Sequence, residues 1–133
     1  MELIIDTSLV IKLEREGASL DFNPTFDPGA AAISAVTVSE LLVGTYRSGS
    51  SQGARRTAFV EAVLERFEAL PITRSVARIH AQITASLMDS GQMIGQHDRW
   101  IAATAIEAGA SVATLDRKDF DRIPGLQVVS PND

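Results

Sequence analysis

The sequence predicts one α/β domain built on a mainly parallel sheet of four to five strands, with helices on both faces. Three observations lead there. Short apolar runs such as Leu3-Ile4-Ile5 and Ala31-Ala32-Ile33 alternate with longer stretches of helical periodicity, the pattern of a chain that returns to one sheet through helical crossovers. The stretch Trp100 to Ile106 is Ala-rich and apolar on most sides, as suits an interior helix lying on a sheet. A length of 133 residues, 45% of them hydrophobic and 22% charged, is enough for a single continuous core, so residues 1–133 are read as one domain.

Each element follows from local chemistry. Leu3-Ile4-Ile5 is a buried strand, and Asp6-Thr7-Ser8 supplies cap residues for a helix from Thr7 toward Glu16 that stops at Gly17. Asn23-Pro24 and Asp27-Pro28-Gly29 break any period, which makes 17–29 a loop. Residues 31–36 form the second strand, and Thr37 or Ser39 caps the helix that follows, until Ser48-Gly49-Ser50-Ser51 interrupts it. A helix from about Gly53 to Ala69 places Phe59, Val63, Leu64 and Phe67 on one stripe, with Arg55, Arg56, Glu61, Glu65 and Arg66 facing water. Leu70-Pro71-Ile72 is a short third strand. Helices from Thr73 to Met88 and up to Gly109 come next, then a strand at Ser111–Thr114, a helical turn at Arg117–Arg122 and a last strand at Leu126–Val129.

Composition removes several function classes. Without cysteine there is no disulfide, thiolate metal site or thiol nucleophile. That fits a reducing cytoplasm. No apolar stretch approaches the ~20 residues a bilayer requires, and the start lacks the basic region of a signal peptide, so neither a signal peptide nor a membrane partner is expected. The net charge of −5 speaks against nucleic acid only until the acids are placed, because two bound divalent cations would offset four of those charges.

In an open parallel sheet the carboxyl ends of the strands share one edge, and ligands bind there. Asp6 follows strand one, Glu40 lies in the first turn after strand two, Asp98 opens the Ala-rich helix and Asp116 follows strand four, so all four converge on that edge. Taken singly, each reads as an ordinary helix-start acid that caps amides. Together they repel one another, and such a cluster is tolerated mainly when a cation or protons neutralise it. All-oxygen ligands select Mg²⁺, with Mn²⁺ as a substitute, and such ions serve hydrolysis of phosphodiesters. In that scheme Asp6, Asp98 and Asp116 hold metal, Glu40 holds metal or positions the attacking water, and Asp119 is a reserve ligand one turn on. Arg99, Arg117 or Lys118 grips phosphate. His97 adjoins Asp98 but reads as a solvated or capping residue, and His80 has no role. No organic cofactor is expected.

These residues resemble a known pattern. Hydrophobic-Asp6-Thr7-Ser8, Ser39-Glu40-Leu41, Asp98-Arg99-Trp100-Ile101-Ala102-Ala103-Thr104-Ala105, and Thr114-Leu115-Asp116-Arg117-Lys118-Asp119-Phe120 before Pro124-Gly125-Leu126 are similar, in order and spacing, to PIN-domain ribonucleases of the VapC toxin type. The resemblance spans nearly the whole chain. It implies a PIN-like fold and a magnesium-dependent endoribonuclease acting on tRNA, rRNA or mRNA, with Asp6, Glu40, Asp98 and Asp116 as its acidic quartet. It also implies a homodimer in a bacterial or archaeal cytoplasm, neutralised by a cognate VapB-like antitoxin of a toxin–antitoxin pair. Many members carry Asn where this chain has Asp116, which leaves Asp116, Asp119 or both as the fourth ligand.

Two other classes compete. A magnesium-dependent phosphotransfer domain also gathers acids at strand ends, but Asp6-Thr7-Ser8 lacks the second Asp of a dehalogenase-type phosphatase, and no GxxxxGK[ST] loop exists. A non-catalytic scaffold of the same fold would use the acids only as caps.

Overall fold

The computed structural model describes residues 3–17 and 29–130, so the loop expected at 17–29 falls mostly outside the described residues. In chain order the elements are β1 (Leu3–Ile5), α1 (Thr7–Glu16), β2 (Ala31–Ser34), α2 (Ala35–Tyr46), α3 (Ser50–Arg66), β3 (Glu68–Leu70), α4 (Arg74–Ser90), α5 (Gln96–Ala108), β4 (Ser111–Ala113), α6 (Arg117–Phe120) and β5 (Val128–Val129). The five strands form one sheet in the order β3-β2-β1-β4-β5, and every pair is parallel. Ile4 of β1 lies beside Ala32 of β2 on one side and Val112 of β4 on the other.

Side chains along a strand alternate faces, and here both faces are apolar. Ile4, Ala32 and Val112 join Val76, Ile83 and Leu87 of α4, Ile101 and Ala105 of α5, and Phe120 in one buried cluster. Ile5, Ile33 and Ala113 face the other way, onto Leu9, Val10 and Leu13 of α1, Leu41 of α2, and Val60 and Val63 of α3. Helices therefore cover both sides of the sheet. The Ala-rich α5 is buried from Ile101 through Ala105, where small side chains let its backbone approach the strands and α4.

Several expected boundaries are corrected. The second strand ends at Ser34, and Ala35 and Val36 already belong to α2. Its cap is neither Thr37 nor Ser39: Ser34 is extended and its Oγ accepts the Val36 amide, which satisfies a donor that a cap further along would leave open. The third strand is Glu68–Leu70 and excludes Pro71, whose nitrogen has no hydrogen for a ladder. Helix α3 starts at Ser50 and ends at Arg66, earlier at both ends than its apolar stripe suggests. Arg56, expected to face water, instead crosses to α1, where its Nη2 lies 2.7 Å from Glu14 Oε1.

Candidate active site

β1 and β4 are neighbours, so the residues that leave their carboxyl ends are neighbours too. Asp6 follows β1 and is buried. It sits at the N-cap position of α1, yet its side chain makes no capping bond to that helix. Its Oδ2 instead accepts the Ser8 hydroxyl and the Thr114 hydroxyl, each over 2.7 Å. Thr114, just past β4, in turn accepts the Asp116 amide over 2.8 Å. One hydroxyl thus ties the buried acid to the segment that carries Asp116. Asp116 also occupies a cap position, before α6, without capping it.

Asp98 enters from α5, in whose first turn it lies. Carboxylate oxygens of Asp98, Asp116 and Asp119 all fall within 4.8 Å of one another. Like charges at that spacing disfavour ionisation, and burial adds to the effect. The Asp98 carboxyl is pushed up to about 6, first by burial and then by the charges of Asp6, Asp116, Asp119 and Glu40. Asp116 is also raised, by desolvation and by the Asp119 carboxyl beside it. Asp6 is raised by burial, with the Glu40 charge acting in the same direction and the two hydroxyls opposing it. Glu40 stands in α2, where the Thr7 hydroxyl meets its Oε1 at 2.8 Å and His97 Nδ1 lies 3.1 Å from its Oε2.

The four acids expected from the sequence are thus brought into one electrostatically coupled group, and Asp119 joins it as a full member. Its tightest part is Asp98, Asp116 and Asp119, with Asp6 set deeper. The hydroxyls of Thr7, Ser8 and Thr114 were legible only as caps or motif letters; their role in holding carboxylates depends on which strands are adjacent. The expected phosphate grips are dispersed. Arg99 donates to Thr84 Oγ1 of α4 over 3.1 Å, Arg117 Nε lies 3.3 Å from Asp121 Oδ2, and Lys118 is exposed.

The donor set suits a hard divalent cation. Its members are carboxylate oxygens, the chain offers no thiolate, and the raised acids carry mutual repulsion that a cation would relieve.

A family model for the PIN domain matches residues 3–126. The chain is also 40% identical over 131 residues to Ribonuclease VapC1 of Rickettsia felis, covering 98% of this chain and 96% of the relative. The chain belongs to the VapC family of PIN-domain ribonucleases. A further relative, the tRNA(fMet)-specific endonuclease VapC of Salmonella typhimurium, is 30% identical over 131 residues, covering 96% of each chain. Among solved structures, a chain of the DNA-bound VapBC complex of Salmonella typhimurium superposes with a TM-score of 0.89 at 27% identity over 98% of both chains. A chain of VapBC-5 from Mycobacterium tuberculosis superposes at 0.76 with 32% identity, again over 98% of both. As a PIN nuclease of this family the chain is a metal-dependent ribonuclease, and an acidic cluster able to hold a divalent ion is present. Among the described residues no helix is long and apolar enough to cross a membrane.

Proposed function

We propose that this chain is a Mg²⁺-dependent endoribonuclease that hydrolyses phosphodiester bonds in tRNA, rRNA or mRNA and serves as the toxin of a toxin–antitoxin pair. The observation that carries the reading is the convergence of Asp98, Asp116 and Asp119 within 4.8 Å at the carboxyl edge of the sheet, with Asp6 and Glu40 coupled to them. A purely structural cluster would relax by spreading these charges, whereas Asp98, Asp116 and Asp119 stay within 4.8 Å of one another.

Asp6, Asp98, Asp116 and Asp119 would hold the metal, whose part is to supply charge neutralisation and Lewis acidity for an in-line displacement at phosphorus. Asp6 is fixed by the Thr114 and Ser8 hydroxyls, so its carboxylate would meet the metal already oriented, with little reorganisation needed. Glu40, held at the margin of the group, positions the attacking water and accepts its proton. Exposed Lys118, next to Asp119, supplies a cation for the RNA backbone, whereas Arg99 and Arg117 would have to leave Thr84 and Asp121 to do so. The relative named a tRNA(fMet)-specific endonuclease supports an RNA substrate, and the VapBC structures support a VapB-like antitoxin as partner. That the antitoxin blocks the site and that the toxin is a homodimer follow from the family resemblance alone.

The test is cleavage of total cellular RNA by purified, antitoxin-free protein, with Mg²⁺, with Mn²⁺, with EDTA, and with Asp6→Asn beside wild type. Discrete fragments that require the metal and vanish in the variant are the expected result. Intact RNA under every metal condition would overturn it and favour a non-catalytic scaffold of the same fold.

A further inference from the structure

Both carboxylate oxygens of Glu40 meet partners outside the acid cluster. Oε1 accepts from Thr7 Oγ1 at 2.8 Å, and Oε2 lies 3.1 Å from His97 Nδ1. Thr7 Oγ1 is also 3.0 Å from Thr37 Oγ1. Having a single proton, the Thr7 hydroxyl gives it to the carboxylate and accepts the Thr37 proton in return. Three helices meet at this one group: Thr7 opens α1, Glu40 stands in α2 and His97 lies in the first turn of α5, beside Asp98. The Glu40 side chain is 27% exposed and that of His97 62%, so the carboxylate is largely covered while the imidazole remains open to solvent.

We propose that His97 is a positioning residue for Glu40, an inference that rests on the ribonuclease reading above. A glutamate has three side-chain torsions, and a single hydroxyl contact leaves its carboxylate free to turn about its last bond. A second contact on the other oxygen, from a different helix, fixes the plane of the group. Partners of this kind orient the ligands and bases of metal-dependent sites, and their loss costs about 10- to 100-fold in activity or metal affinity. Because an ionised carboxylate presents only lone pairs, the imidazole carries its hydrogen on Nδ1 and leaves Nε2 facing outward. His97 also ties the orientation of Glu40 to the turn that carries Asp98, so the water-positioning group and a metal ligand move as one unit.

The first measurement needs neither RNA nor metal. Long-range ¹H–¹⁵N correlation spectra of the metal-free wild-type protein at pH 8 report which ring nitrogen of His97 is protonated, with His97→Ala used for assignment. A hydrogen on Nδ1, which shifts to Nε2 in Glu40→Ala, is expected; a bare Nδ1 in wild type overturns the proposal. The second measurement is steady-state cleavage of RNA. His97→Ala should lower kcat about tenfold with KM within twofold of wild type. Asn places an amide N–H near the position of Nδ1 and should recover most of kcat, whereas Gln places it near Nε2 and should not. A His97→Ala kcat within twofold of wild type, a loss confined to KM, or equal rescue by Gln overturns the proposal. Circular dichroism checks that each variant is folded. Should wild type cleave no RNA at all, the ribonuclease reading fails, while the spectra still decide whether His97 holds Glu40.

Discussion

The Thr114 hydroxyl donates to Asp6 Oδ2 over 2.7 Å, joining two residues 108 positions apart in the chain. The bond exists because β1 and β4 pair in parallel, Ile5 beside Ala113, so that the next residues along each strand emerge side by side. Ser8 donates to the same oxygen, and together the two hydroxyls set the rotation of a buried carboxylate. Much of the site's order descends from this contact, since Thr114 also holds the amide of Asp116.

Removing that hydroxyl while keeping its shape should therefore cost both stability and activity. Thr114→Val deletes a hydrogen bond to a buried charged group and leaves the Asp116 amide without its acceptor. A loss of about 2 kcal/mol in urea unfolding at pH 7.5 is expected. Nuclease kcat should fall at least tenfold.

Asp98 holds its proton up to about pH 6, well above its usual 3.8. Between those values the metal-free native state binds more protons than the unfolded chain, so this group makes stability fall as pH rises through the window and weighs against the fold above it. Asp98→Asn removes the penalty. At pH 7.5 without metal the variant should melt a few degrees higher than wild type, the shift that about 1 kcal/mol gives in a chain of this size, while losing nuclease activity. The difference in Tm should shrink as pH falls through 6 and vanish near pH 4; a constant difference would mean that repulsion is not its source.

Divalent cations should stabilise wild type by binding the native state alone. At a free Mg²⁺ concentration of 100 times Kd the gain is about 2.7 kcal/mol, seen as a concentration-dependent rise in Tm that EDTA reverses. The rise should be larger at pH 7.5 than at pH 5, where protons on Asp98 and its neighbours compete with the metal. A Tm indifferent to Mg²⁺ and Mn²⁺ at pH 7.5 would remove the metal from this cluster.

Asp116 and Asp119 share one ligand group, so neither should be dispensable. Asp116→Asn and Asp119→Asn should each lower kcat/KM at least tenfold and raise the Mg²⁺ midpoint. Because they act on the same bound charge, the double variant should fall well short of the product of the two losses. Full multiplicativity would assign them independent roles.

The layout of strands and helices was readable because apolar period and helix stops are local signals: Leu3-Ile4-Ile5, the run beginning at Ala31, and Gly17 and Gly109 closing helices with positive φ all stand in the structure as expected. Boundaries were less so. Ser34 was hidden as a cap inside an apolar run that reads on to Val36, because capping depends on one residue's backbone angles and not on the pattern around it. Arg99 and Arg117 read as phosphate grips by proximity in sequence; that their guanidinium groups meet Thr84 and Asp121 depends on side-chain direction and packing, which proximity does not set.

What the sequence by itself determined is that acids follow the ends of strands one, two and four and begin the Ala-rich helix, and that parallel strands carry such residues to one edge. Tertiary structure decided which acids touch. The sheet order β3-β2-β1-β4-β5 sets β4 against β1 and so brings Thr114 to Asp6, while α5, packed against that sheet, delivers Asp98 to Asp116 and Asp119 and His97 to Glu40. Residue order along the chain limits only local spacing. Contacts of 2.7 to 3.1 Å between segments 50 or 100 residues apart depend on strand register and helix packing, which the buried apolar faces of the whole domain fix together.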